Sequence, residues 1–135
     1  MTLSEVRIIQ LPKYEDVRGN LSILEGVNHI PFIIKRAYWI YDVPGGCIRG
    51  GHAFNEQHEF IIALSGSFDV IVDDGNNRKT FQLNRSYYGL YIPAKLWREM
   101  NNFSTNALAL VTSSTLYDSK DYIIDYERFT NTRRR

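Results

Sequence analysis

The sequence predicts an all-β chain, folded as a barrel or a two-sheet sandwich, with one short helix near its end. Three observations predict it. Short apolar or alternating segments recur along the chain, most of them closed by Gly, Pro, Asn or Asp. The chain is rich in strand-favouring aromatics, with nine Tyr, seven Phe and two Trp. Only one stretch, near the end, carries apolar residues at helical spacing.

The elements follow in order. Residues 6–11 are the first candidate strand. Residues 16–20 (DVRGN) form a turn, and residues 21–25 another strand. Residues 32–41 are a longer β-rich run, ended by Pro44-Gly45-Gly46. Residues 60–64 are apolar throughout and so are expected to be buried. Residues 67–72 alternate, with Phe68, Val70 and Val72 on one face. The stretch DDGNN at 73–77 is a hairpin turn, and residues 80–83 continue beyond it. Residues 90–93 and 107–112 are further buried strands. The helix is expected near residues 120–129, capped by Asp118 or Ser119, with Tyr122, Ile123, Tyr126 and Phe129 on one face. One domain is expected over residues 1–130, followed by a solvated basic tail at 131–135 that ends in three arginines.

Composition excludes several function classes. A net charge of +1 gives no footprint for nucleic acid. No apolar run is long enough to span a membrane. Residues 1–12 hold no long apolar run of the kind a secretory leader needs. The single cysteine, Cys47, cannot form an internal disulfide, which fits a reducing compartment, so a cytoplasmic location is expected. No Gly-rich phosphate loop, zinc-spaced cysteine pair or Gly-x-Ser-x-Gly elbow is present. Cys47 lacks a companion base and is no candidate nucleophile. His29 reads as a loop residue without a role.

Two segments match the two cupin motifs in spacing. The first is Gly51-His52-Ala53-Phe54, then Glu59, then Gly66. The second runs from Gly89 to Pro93, then Trp97-Arg98, then Asn102. A wider set of matches spans nearly the whole chain. It includes Asp16-x-Arg18-Gly19, Ile40-Tyr41-Asp42-Val43-Pro44, Arg49-Gly50-x-His52-Ala53 and Asp73-Asp74-Gly75. It continues through Asn102-Phe103-Ser104, Tyr117-Asp118 and Asp121-Tyr122-Ile123. On these residues the chain resembles the dTDP-4-keto-6-deoxyglucose 3,4-ketoisomerases. The resemblance implies a cupin jelly-roll barrel, a homodimer sharing an N-terminal strand, a dTDP-sugar substrate and no required metal or other cofactor. The chain departs from the family pattern at three positions. Phe54 stands where the family has a second histidine, Arg98 where it commonly has a histidine, and Glu59 where it commonly has a glutamine.

A cupin metal site needs three or four converging neutral or anionic ligands. Here only His52 and Glu59 remain; Phe54 cannot coordinate, and Arg98 is a permanent cation. His58 neighbours Glu59 on a strand and so points to the other face. No metal is therefore expected, and Arg98 is expected to pair with Glu59 inside the barrel. A 3,4-ketoisomerase must move a proton from C3 to C4 of a 4-keto sugar through an enediol. His52 is the candidate acid–base group. Arg98 is the candidate stabiliser of the enediolate, and Tyr41 or Tyr38 a proton relay. Arg49 and Arg18 are candidates for the pyrophosphate, with Glu59 and Trp97 completing the substrate-binding set. Two other readings of the same pocket stay open. One is a nucleotide-sugar epimerase; the other is a binding module that has lost catalysis with its second histidine.

Overall fold

The computed structural model describes residues 2–133. Among the described residues are twelve strands, one α-helix and two 3₁₀ turns, at Leu3–Glu5 and Ser119–Asp121. The strands are β1 (Arg7–Gln10), β2 (Lys13–Tyr14), β3 (Leu21–Ser22), β4 (Arg36–Ile40), β5 (Arg49–Phe54) and β6 (Glu59–Ser65). They continue as β7 (Phe68–Asp73), β8 (Arg78–Leu83), β9 (Tyr88–Ile92), β10 (Trp97–Asn101), β11 (Leu108–Ser113) and β12 (Tyr122–Ile123). Helix α1 spans Tyr126–Arg133.

Two five-stranded antiparallel sheets face each other, in the orders β1-β9-β6-β11-β4 and β12-β5-β10-β7-β8; β2 and β3 form a separate hairpin. Period-2 alternation decides which side chains meet between them. Ile61, Ala63, Leu90, Ile92, Ala109 and Val111 come from the first sheet, and Phe68, Val70, Val72, Leu83 and Met100 from the second. The architecture is the all-β cupin jelly roll that the motif spacing implied.

The other faces carry smaller clusters. Phe60, Ile62 and Tyr91 pack outside the first sheet, under Leu11, Ile30 and Phe32 of the N-terminal segment. This double-sided burial holds for residues 60–63, whereas Leu64, expected to be buried with them, is 43% exposed on the outer face. Outside the second sheet, Ala53 and Trp97 pack against Ile123 and Phe129.

The C-terminal region differs from the periodicity-based expectation. Asp118 does cap, accepting from Lys120 N at 3.0 Å, but it caps only a 3₁₀ turn at Ser119–Asp121. Tyr122 and Ile123 then pair with Phe54 and Ala53 of β5. Strand pairing wins because it satisfies the free edge of β5, which an isolated helix of that length cannot do. The helix begins four residues after Tyr122 and runs into the expected tail. Thr130 is buried, and Arg133 donates to the Asp74 and Lys95 carbonyls at 2.9 and 3.2 Å. Residues 131–133 are thus helix rather than tail, and Arg134 and Arg135 lie outside the described residues. The strands expected at 21–25 and 32–41 are shorter, at two and five residues.

Candidate active site

Strand β4 ends the first sheet and β5 lies one strand in from the β12 edge of the second, and a cavity of about 360 Å³ opens between them. Alternation on β4 turns Arg36 and Tyr38 into it; β5 supplies Arg49, Gly50 and His52, and β10 supplies Arg98. Tyr117 and Tyr122, from the segment before α1, close the wall. Arg98 lies directly opposite His52 in the β10–β5 pairing.

The cavity floor is a buried ion pair. Glu59 and Arg98 are each about 1% exposed. Arg98 Nε donates to Glu59 Oε1 at 2.7 Å and Nη2 to Oε2 at 3.2 Å, a two-pronged contact. Tyr38 joins both partners: its hydroxyl donates to Glu59 Oε2 at 2.8 Å and accepts from Arg98 Nη2 at 2.8 Å. The amide nitrogen of Gln57 donates to the same Glu59 oxygen at 3.0 Å. Burial by itself would raise the Glu59 carboxyl, but the guanidinium beside it more than offsets this and holds it ionised below its ordinary value. Burial likewise opposes the charge on Arg98, and Glu59 restores it. The Tyr38 hydroxyl is pushed well up, first by burial, so it stays protonated and can donate.

One Arg98 nitrogen is spared. Nη1 has only the Met100 thioether, at 3.4 Å, and sulfur is a weak acceptor. It is the one Arg98 nitrogen without an oxygen acceptor in the protein. Gly50 makes this burial possible. It sits at φ +70°, and a β-carbon there would collide with the Arg98 guanidinium. That guanidinium is clamped on Glu59 and cannot retreat. Gly50→Ala is expected to destabilise the protein by about 1–3 kcal/mol through overpacking, read as a lower midpoint in thermal denaturation. An unchanged midpoint would mean that the Arg98 pocket is loose.

His52 is largely buried and its Nε2 has no protein partner. Its ring meets Phe54 edge-on at 4.8 Å and Tyr122 at 5.2 Å between centroids. Burial, then the nearby Arg98 charge, pushes its pKa down to about 3, so the imidazole is neutral. The residues do not fit a cupin metal. Phe54 and Arg98 occupy two ligand positions, and both Glu59 oxygens are already taken by Arg98, Tyr38 and Gln57.

Of the residues expected from sequence, His52, Arg98 and Arg49 line this cavity, and Glu59 lies beneath it, held by Arg98 as expected. Three others lie elsewhere. Tyr41 is 62% exposed beyond the end of β4, on the parity opposite to Tyr38, and lines a separate surface with Asp42 and Asn106. Tyr38, the other relay candidate, lines the cavity instead. Trp97 faces outward, because its neighbour Arg98 faces inward; it donates to Glu99 at 2.9 Å and packs on Phe129. Arg18 stays out of this cavity, where its own turn holds it: Nε and Nη2 donate to Asp16 at 3.0 and 2.8 Å. Arg36 and Gln57 are not among the candidates that the sequence offers, and Tyr117 and Tyr122 enter only through the resemblance and the expected helix. Alternation from Tyr38 points to Arg36. Nothing local marks Gln57, which lies in an irregular turn.

The WxcM-like, C-terminal family model (FdtA) matches residues 4–134. The chain belongs to this family. Within the family, it is 39% identical over 125 residues to a TDP-4-oxo-6-deoxy-α-D-glucose-3,4-oxoisomerase from Aneurinibacillus thermoaerophilus, covering 93% of this chain and 90% of that one. A 3,4-ketoisomerase from Helicobacter canadensis superposes with a TM-score of 0.94 at 40% identity, covering 97% and 98% of the two chains. The family member QdtA from Thermoanaerobacterium thermosaccharolyticum superposes at 0.95 with 34% identity, covering 98% and 96%. It was solved as a histidine-to-asparagine variant with TDP-4-keto-6-deoxyglucose bound. A 4-keto-6-deoxy sugar epimerase from Streptomyces spheroides, at 19% identity and a TM-score of 0.74, shares the fold alone.

Proposed function

We propose that this chain is a sugar 3,4-ketoisomerase acting on a dTDP-4-keto-6-deoxyhexose in the cytoplasm, in the making of deoxyamino sugars for surface polysaccharide. The observation that carries the reading is the juxtaposition of one neutral, unpartnered imidazole with an arginine that keeps a spare donor, in a cavity of a family whose members act on such sugars.

The C3 proton is acidic because it is α to the C4 carbonyl. His52 accepts it, and the electron pair moves to O4, giving an enediolate. Arg98 Nη1 stabilises that oxygen as its charge grows. Proton exchange between the two oxygens moves the hydroxyl hydrogen from O3 to O4. His52 then returns a proton to C4, and the carbonyl is left at C3. Tyr38, whose hydroxyl donates to Glu59 and accepts from Arg98, holds that pair in place. No metal is needed in any step.

The test is proton NMR of TDP-4-keto-6-deoxyglucose with the protein in deuterated water. A 3-keto product with solvent deuterium at C4 is expected. Deuterium at C5 with the 4-keto group retained would make it an epimerase. No exchange anywhere would leave a binding module.

The active species is a homodimer. Strand β1 is a sheet edge with its outer side unpaired. Beside it, a groove of about 470 Å³ on the outer face of the same sheet is lined by Leu11, Ile23, Ile62, Leu64, Tyr87 and Leu110. Light scattering at micromolar concentration should give twice the chain mass of 15.7 kDa; the monomer mass would overturn this.

A further inference from the structure

An enediolate is best formed away from water, because excluded solvent strengthens every contact made to its growing charge. The mouth of the His52 cavity is not covered in this way. Trp39 and Tyr117 line the cavity, yet they are 59% and 68% exposed. Ile48, next in sequence to the cavity residue Arg49, is 62% exposed. Large apolar side chains left in water around one opening mark a surface that something covers.

The segment carrying Ile48 is constructed to do so. It is the loop between β4 and β5, and every residue from Pro44 to Arg49 is exposed. Its turn is closed internally, by the Cys47 N–H donating to the Pro44 carbonyl at 3.2 Å, rather than by a bond to the barrel. Gly45 and Gly46 stand at its near end in open space, Gly46 at φ +84°. Glycine gives that end a wide choice of backbone angles at little cost. The far end is fixed. Met100 lies opposite Arg49 and Arg98 opposite His52, so β5 carries one extra residue between these pairs. Such a bulge re-aims the strand, and here it brings Arg49 to the cavity side, opposite the buried Met100. A free pivot at one end and a fixed point at the other are the parts of a hinged loop.

Resting on the nucleotide-sugar reading above, we propose that residues 44–48 are a lid that closes over the His52 cavity when the sugar is bound, with Ile48 covering the mouth against Trp39 and Tyr117. The barrel stays as it is, and Gly45-Gly46 supplies the hinge. Closure takes water away from Arg98 Nη1, the nitrogen that meets the enediolate oxygen, and so strengthens that contact during the reaction. It also gives Ile48 a reason to stand in solvent beside a charged pocket: the exposed side chain belongs to the open state.

Cys47 reports the motion, because it is the one cysteine of the chain, is exposed, and lies within the loop. The experiment follows its alkylation by iodoacetamide in the protein alone, with TDP, and with saturating TDP-4-keto-6-deoxyglucose. Wild type, Ile48→Val and Ile48→Ser are compared; calorimetry measures TDP binding and circular dichroism checks folding. The sugar nucleotide is expected to slow alkylation of the wild type about tenfold, as for a lid about nine-tenths closed. TDP, which leaves the sugar end of the cavity empty, should slow it less. Ile48→Val should keep most of the protection and Ile48→Ser lose most of it, while both bind TDP as the wild type does. Equal alkylation with and without the sugar nucleotide would overturn the lid. Full protection in Ile48→Ser would mean that the ligand itself shields Cys47, and would overturn it too. If Cys47 does not react in the free protein, hydrogen exchange of residues 45–49 takes its place: slower exchange in the sugar complex is expected, and no change overturns the lid. A wild type that does not bind TDP would instead overturn the nucleotide-sugar reading itself.

Discussion

His52→Asn is expected to lower turnover of the 4-keto sugar by roughly a hundred- to ten-thousand-fold, the usual loss when a positioned acid–base group is removed. TDP affinity should stay close to wild type, because asparagine removes the proton-carrying ring without changing any cavity charge. The expectation is strong because Phe54 occupies the neighbouring inward position on β5, where it meets the His52 ring edge-on. No second imidazole is at hand to take over. Rates from proton NMR of wild type and His52→Asn check it. Full activity in the variant would move the base elsewhere. Phe54→His is the complementary variant. If it is active while wild type is inert, the chain is a binding protein built on an isomerase frame.

The second large effect is on stability. Glu59→Leu is expected to cost about 3–5 kcal/mol, because it leaves Arg98 charged and unpaired in the interior. Replacing one partner is worse than replacing both, so a Glu59→Leu/Arg98→Met double variant should recover much of the loss while abolishing turnover. Chemical denaturation of the three proteins measures this. The pH dependence has a definite sign. The folded carboxyl lies below its ordinary value, so its contribution is complete above the unfolded value and is lost as pH falls through the folded one. The stability gap between wild type and Glu59→Leu should therefore narrow in acid. A gap that is constant down to the acid limit would mean that Glu59 is not ionised in the fold.

The strand pattern was legible where one physical signal dominated. Phe68, Val70 and Val72 alternate because one face of β7 is core, and residues 60–63 are apolar throughout because that part of β6 is covered on both sides. Strands β5 and β10 were legible only through their motif residues. RGGHAF and WREMN carry too many polar and glycine positions to read as buried strands, because their inward faces build a site. The helix was misplaced because Tyr122 and Ile123 satisfy a helical period and a strand pairing equally well. Only the open edge of β5 decides between them.

The site divides in the same way. The sequence by itself determined the cupin frame, the isomerase resemblance, the loss of metal ligands at Phe54 and Arg98, and the pairing of Arg98 with Glu59. Each follows from residue type at a fixed motif spacing, and a permanent cation placed inside a barrel must find a carboxylate. Tertiary structure alone decided that Tyr38 rather than Tyr41 faces the cavity and that Trp97 turns away. It also decided that Arg36 and Gln57 belong to the site. Those outcomes depend on strand register and on which chain segments close the wall. Residues as far apart in sequence as Arg36 and Tyr122 become neighbours only when β12 docks on β5 beside β4, and no local pattern encodes that encounter.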